Sequence, residues 1–212
     1  MTRPAILAAA ALSALAGCSF HPRSPVPATR EGEWAAARDA ATRRSVLYDG
    51  FTHRATATAT HLSLSVREAR ARRLAEWMGW TPQELEDRLA AERTEAGAGE
   101  EFLLCFYTAD SRANDLDAPR SVWRVALKTG DADLLATRVT SLDSDATIVG
   151  LSPYVGPFDV VYRVTLPKPQ AGALDAKAFA LQLSSTLGKV NLDYGAPVTK
   201  IVDAPWQPVP PP

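Results

Sequence analysis

Phe158-Asp159-Val160-Val161-Tyr162-Arg163-Val164-Thr165-Leu166 decides the fold. Large apolar side chains fall at every second position (Phe158, Val160, Tyr162, Val164, Leu166), and a two-residue period is that of a strand with one buried face. A helix would scatter these side chains around its circumference. The rhythm recurs on both sides. Phe102, Leu104 and Phe106 face one way; Trp123, Val125 and Leu127 point in while Arg124 and Lys128 point out. Further on, Phe179, Leu181 and Leu183 give one strand, and Val190, Leu192 and Tyr194 another. Residues 134–142 read as a weaker strand whose face is unassigned.

Upstream the pattern changes. Glu33 to Arg44 is rich in Ala and Arg and reads as a short helix. In Tyr48 to Leu64, Thr56, Thr58 and Thr60 alternate with alanines, which fits one long strand. Two helices are predicted next. The first covers about 66–78, with Ala71, Leu74, Ala75 and Met78 on its inner stripe. The second starts at Thr81 as N-cap, with Pro82 in the first turn and Glu84 three residues after the cap. Leu85 and Leu89 share its inner face, Glu84 and Arg88 form a supporting pair, and Gly97 and Gly99 end it.

Counting the Thr/Ala segment, seven strands are expected. Their spacing implies a mainly β fold: an antiparallel sandwich, immunoglobulin-like in architecture by analogy, with an inserted helical pair at about 66–96 and a short N-terminal helix. Each large side chain buried in such a core contributes roughly 1.5–3 kcal/mol.

The first residues have another logic. Arg3 supplies a positive charge, and Ile6 to Ala16 is an apolar run interrupted only by Ser13. That run is too short to cross a hydrocarbon core, which takes roughly 20 residues, and it has the form of a secretory signal. Leu15-Ala16-Gly17-Cys18 resembles the lipobox of bacterial lipoproteins. The resemblance implies cleavage before Cys18 and acylation of its sulfur, several acyl chains anchoring durably at about 0.8 kcal/mol per buried methylene. Ser19 in place of an aspartate implies sorting to the outer membrane, facing the periplasm or the cell surface. The expected layout is a signal peptide at 1–17, a Pro-rich tether at 18–31, one β-rich domain at 32–204 and a Pro-rich tail at 205–212. The tether, with Pro22, Pro25 and Pro27, reaches at most about 40 Å at roughly 3.1 Å per residue.

Composition narrows the chemistry. Loss of residues 1–17 removes one cation, Arg3, from 23 Lys+Arg set against 24 Asp+Glu. A near-neutral chain without a basic cluster has little electrostatic drive toward nucleic acid. Besides Cys18 the only cysteine is Cys105. It sits in Phe102-Leu103-Leu104-Cys105-Phe106-Tyr107 and reads as a small buried apolar residue, so no internal disulfide framework exists.

The candidate reactive groups give no catalytic constellation. His21 falls in the tether. His53 and His61 share strand parity, and eight residues at about 3.3 Å separate them by roughly 26 Å, so they cannot ligate one ion; each is expected at a solvent-facing or edge position. No Gly-x-Ser-x-Gly elbow and no phosphate-binding glycine loop occurs. The loop from Asp110 to Asp117 offers four side-chain oxygen donors where calcium wants six to eight. It lacks the EF-hand spacing and carries Arg112 among its acids. Asp and Asn are ordinary turn residues, as also at Asp131/Asp133 and Asp143/Asp145, so no metal or cofactor is assigned. The helix pair does not read as a DNA-binding motif, because Glu84, Glu86, Asp87 and Glu92 stand where bases and phosphates would be met.

Two aromatic groups remain as a candidate partner surface: Trp77 and Trp80 around the inter-helix turn, and Tyr154 in Ser152-Pro153-Tyr154-Val155-Gly156-Pro157. Such side chains bury much area at small entropic cost, although they serve equally to seal helices onto a sheet or plug the end of a core. The expectation is a non-enzymatic, lipid-anchored envelope module that scaffolds or binds another envelope protein. The alternative is a binding protein for a small ligand or envelope polymer.

Overall fold

The computed structural model describes residues 32–130, 132–169, 174 and 178–195. The chain divides after Gly32, and the compact unit that carries the β domain runs from Glu33 onward. The expected signal peptide and tether, Cys18, Asp131 and the Pro-rich tail lie outside the described residues.

The Thr/Ala segment is the second arm of a hairpin. β1 (Thr42–Asp49) pairs antiparallel with β2 (Thr52–His61) across a turn at Gly50, whose φ of 58° favours glycine. Ala55, Ala57 and Ala59 are fully buried on one face of β2. Thr56, Thr58 and Thr60 occupy the other face. β1 has no apolar alternation of its own and goes unseen in the pattern.

β2 continues into α2 (Leu64–Met78) and α3 (Pro82–Ala98), then β3 (Glu100–Thr108). Beyond a single 3-10 turn at Ser111–Ala113 come β4 (Arg124–Lys128), β5 (Asp133–Leu135) and β6 (Arg138–Leu142). A short helix, Ala146–Leu151, precedes β7 (Val160–Leu166), β8 (Ala180–Ser185) and β9 (Gly188–Asp193). With α1 (Gly32–Ala41) at the start, that short helix is α4.

The protein is therefore mainly β, with two antiparallel sheets ordered β1-β2-β3-β7-β6 and β5-β4-β8-β9. Among the described residues nine strands stand where seven were expected. Residues 134–142 are two strands because the chain changes sheet between them: the Ala136 amide bonds Val125 O in one sheet, and the Thr137 amide bonds Thr165 O in the other. This change of sheet is why no single face fitted the segment.

The sheets share one core, with Phe102, Leu104, Phe106, Val164 and Leu166 meeting Val125, Leu127, Leu181, Leu183 and Leu192. Side chains tie the β9 edge to β1 and β2: Arg43 Nε donates to Asp193 O at 3.0 Å and Tyr194 Oη to Ala59 O at 2.7 Å. Phe158 does not join the alternation it begins; it precedes β7 and is 79% exposed.

The helices cover the outer face of the five-stranded sheet. Trp34, Leu62, Val66, Ala69 and Leu151 form a second, smaller core there, and Trp34 Nε1 donates to Leu151 O at 3.0 Å. The inner face of α2 opens earlier than expected, at Val66, Arg67, Ala69 and Ala71, while Met78 is exposed and Leu74 and Ala75 are half-buried. The cause is charge. Arg67, 1% exposed, bonds Leu62 O, Glu92 at 2.9 Å, Glu95 at 3.2 Å, and Glu101. Glu92, equally buried, also accepts from Arg70 and Arg88. This network joins α2, α3 and β3.

Arg88 thus pairs with Glu92, not with Glu84. Glu84 instead accepts from the Thr81 amide at 2.7 Å, completing the capping box read from the sequence.

Candidate functional site

The site lies on the threonine face of the hairpin, and a β-bulge makes it. Leu47 pairs with Ala55, but its neighbour Tyr48 pairs with His53. Arg54 is left over, and the extra residue reverses the alternation of β2. His53 is thereby turned onto the face of Thr56 and Thr58, opposite to His61. The shared parity expected of the two histidines is lost to that one residue.

On this face His53 Nε2 meets Thr56 Oγ1 at 2.8 Å. The imidazole stacks on the Tyr107 ring from β3, with centroids 5.3 Å apart and planes 4° from parallel. Tyr48 of β1 lies against the opposite side at 5.5 Å. Three adjacent strands thus contribute one aromatic row.

Beside it, Arg44, Thr58, Tyr154 and Asp159 complete an open cleft of about 350 Å3. Its far wall is the loop after α4. There Tyr154 Oη lies 2.5 Å from Thr60 Oγ1, and Asp159 Oδ2 accepts the Gly156 amide at 2.7 Å. Burial pushes the Tyr154 phenol up. Cys105, on the same face of β3 as Tyr107, is buried, and desolvation together with Asp159 raises its thiol to about 12. A thiol so far above neutrality is not a nucleophile.

Of the residues singled out from the sequence, Tyr154 lines this cleft, while Trp77 and Trp80 do not. Trp77 is half-exposed, lies under the Arg73 guanidinium at 4.9 Å, and packs so closely on Gly150 of α4 that a Cβ there would come within 3.1 Å of its ring. Trp80 is half-buried and its amide bonds Ala75 O.

His61 is buried, contrary to the expected exposed or edge position. It bonds Glu100 Oε2 at 2.9 Å and packs among Phe102, Phe179 and Tyr194. Ser63 opens with this pair onto a second cavity of about 240 Å3. Its hydroxyl bonds Ser65 Oγ at 3.1 Å, and among the described residues no hydrogen bond links it to His61. A serine–imidazole–carboxylate relay is not assembled.

The acids of the Asp110 to Asp117 loop serve the local fold. Asp110 caps the 3-10 turn and pairs with Arg112, Asp115 accepts from Ser121 and the Val122 amide, and Asp117 accepts from Ser141. Asn114 donates to Phe106 O, and Tyr162 Oη donates to Asn114. Asp133 pairs with Lys128, and Asp145 caps α4. Among the described residues no three His, Cys, Asp or Glu side chains are grouped to hold a metal, and no helix is long and apolar enough to cross a membrane.

A second feature occupies the end of the β domain beyond His53. Phe51 at the hairpin turn is fully exposed, and Tyr48 beside it is 60% exposed. Phe158 lies at the same end, since Val160 pairs with Phe106. Val122 and Leu187 line a groove there with Arg54, Thr108 and Arg112. Gly188 closes the group, its ideal Cβ falling 2.9 Å from Leu47.

Comparison of the chain with protein-family models, with curated proteins and with solved structures finds no match.

Proposed function

We propose that this chain is a lipid-anchored, non-enzymatic module of the cell envelope that docks another envelope protein through the end of its β domain. The anchor in this reading is acylated Cys18 in the outer membrane, supported by Leu15-Ala16-Gly17-Cys18 and Ser19. Docking is carried by one observation: Tyr48, Phe51, Val122, Phe158 and Leu187 are exposed together at one end. Large apolar side chains left in water singly are ordinary, whereas several gathered at one end mark a contact surface.

The immunoglobulin-like architecture is part of the same proposal. In its support, β2, β3, β7 and β6 follow the order of strands A, B, E and D, and β9, β8, β4 and β5 that of G, F, C and C′. Trp123 at the head of β4 is buried edge-on against Phe106 at 5.1 Å, much as a strand-C tryptophan fills such cores. On that correspondence the exposed residues occupy the loop end that sandwich domains use for recognition.

The test is a photocrosslinking residue placed at 51 or 158 in the native cell, with position 93 on α3 as control. A discrete adduct from 51 and 158 and none from 93 is expected; equal labelling at all three, or none, overturns the docking surface. For the anchor, Cys18→Ser should release the protein from the membrane fraction, and unchanged attachment would contradict it.

A further inference from the structure

We propose that the cleft between Arg44, Tyr107 and Asp159 binds a neutral sugar ring. This inference stands on the cleft alone and does not depend on the docking reading. Three other polar clusters are spoken for: the acids of the 3-10 loop, the buried arginine network and the Thr42–Thr60–Tyr154 chain have partners. The cleft is different. The guanidinium of Arg44, the hydroxyl of Thr58 and the hydroxyl of Tyr107 line it, and none makes a hydrogen bond or ion pair among the described residues. Asp159 uses only Oδ2 on the Gly156 amide.

The chemistry of these groups selects the ligand. Arg44 only donates, a carboxylate only accepts, and Thr58, Thr56 and Tyr107 do both. A ligand whose own groups both donate and accept satisfies this mixture, and hydroxyls are such groups. An anion held by Arg44 would face Asp159, and a cation held by Asp159 would face Arg44, so net charge on the ligand is disfavoured. The stacked His53 and Tyr107 rings, whose facing surfaces are taken by each other, add an apolar wall for the C–H groups of a pyranose. About 350 Å3 lies near the lower bound of ligand pockets, roughly 300–1,000 Å3, which is room for one or two rings. The bulge at Arg54 is what brings His53 to that wall.

The test uses the full chain in detergent, with chitotriose and maltotriose as neutral probes and inorganic phosphate as the charged one, followed by saturation-transfer NMR and titration. Saturable binding of at least one sugar is expected, weakened tenfold or more by Arg44→Ala and by Thr58→Val, with phosphate inert. Arg44 is exposed, so its variant keeps the fold, which circular dichroism checks; Tyr107→Phe, which removes only a hydroxyl, is the second variant. Binding of neither sugar, binding indifferent to all three substitutions, or binding of phosphate in their place overturns the proposal.

Discussion

Tyr154 donates its hydroxyl proton to Thr60, and the direction of that bond follows from what Thr60 touches next. Thr42 Oγ1 spends its one proton on Arg38 O at 2.6 Å, so at its 2.6 Å contact with Thr60 it accepts. Thr60 is then the donor there and the acceptor toward Tyr154, 2.5 Å away. The relay pins the loop after α4 to β2 and to the end of α1. Tyr154→Phe removes the first proton and leaves Thr60 short of a donor, which costs about 1 kcal/mol. Urea unfolding of the two proteins measures it, and an unchanged midpoint would mean that ring packing alone holds the loop.

The arginine network predicts an acid-labile helical layer. Burial alone would raise the Glu92 carboxyl, but Arg70, Arg88 and Arg67 outweigh it and hold it at about 2, from an ordinary 4.5. A folded-state value below the unfolded one gives stability that is present above about pH 4.5 and lost as pH falls toward 2, up to about 3 kcal/mol for this group. Denaturant midpoints at pH 7, 4 and 3 should fall in that order. Glu92→Ala, which leaves Arg67 with Glu95 and Glu101 but removes the buried carboxylate it shares with Arg70 and Arg88, should cost about 3 kcal/mol at pH 7 and flatten the acid limb. A variant as acid-sensitive as the parent would assign the effect to other carboxylates.

What the sequence disclosed depended on whether one face of an element was apolar. Phe102, Leu104 and Phe106, and Leu181 and Leu183, each fill one face of a strand, and the structure buries them as read. β1 escaped because its inner positions hold Arg43, Ser45 and Leu47, only the last of them apolar. The capping box at Thr81 was legible because it is local. The inner face of α2 was not, because Arg67 is buried by carboxylates on α3 and β3 that no helical period reveals. The cleft was half visible. Tyr154 stood out in its loop between prolines, but Arg44 and Tyr107 come from different strands and Asp159 from the loop before β7, and the bulge that delivers His53 leaves no mark in the alternation.

Cys105 predicts a silent thiol. Burial first, and Asp159 second, raise it to about 12. In a Cys18→Ser chain, where Cys105 is the sole cysteine, a disulfide reagent at pH 8 should find no reactive thiol in the native protein and one in urea. Rapid native labelling would show that β3 opens to solvent at Cys105.

Gly97 and Gly99 look alike as signs of a helix end, yet the structure gives them opposite roles. Gly97 lies in the last turn of α3, and an added Cβ there meets nothing within 4 Å. Alanine at 97 should stabilise by about 0.5–1 kcal/mol through helix propensity and reduced unfolded-state freedom. Gly99 is extended, so its conformation suits any residue, but a Cβ would fall 2.7 Å from the carbonyl oxygen of Leu166. That oxygen is backbone at the end of β7, next to the Glu100–Leu166 pair of the β3–β7 ladder, and cannot swing aside as a side-chain tip would. Gly99→Ala should therefore cost about 1–3 kcal/mol as an overpacking strain. Thermal unfolding of the two single variants against the parent decides it: midpoints moving in opposite directions are expected, and a harmless alanine at 99 would mean that the β3–β7 pairing is looser than the geometry implies.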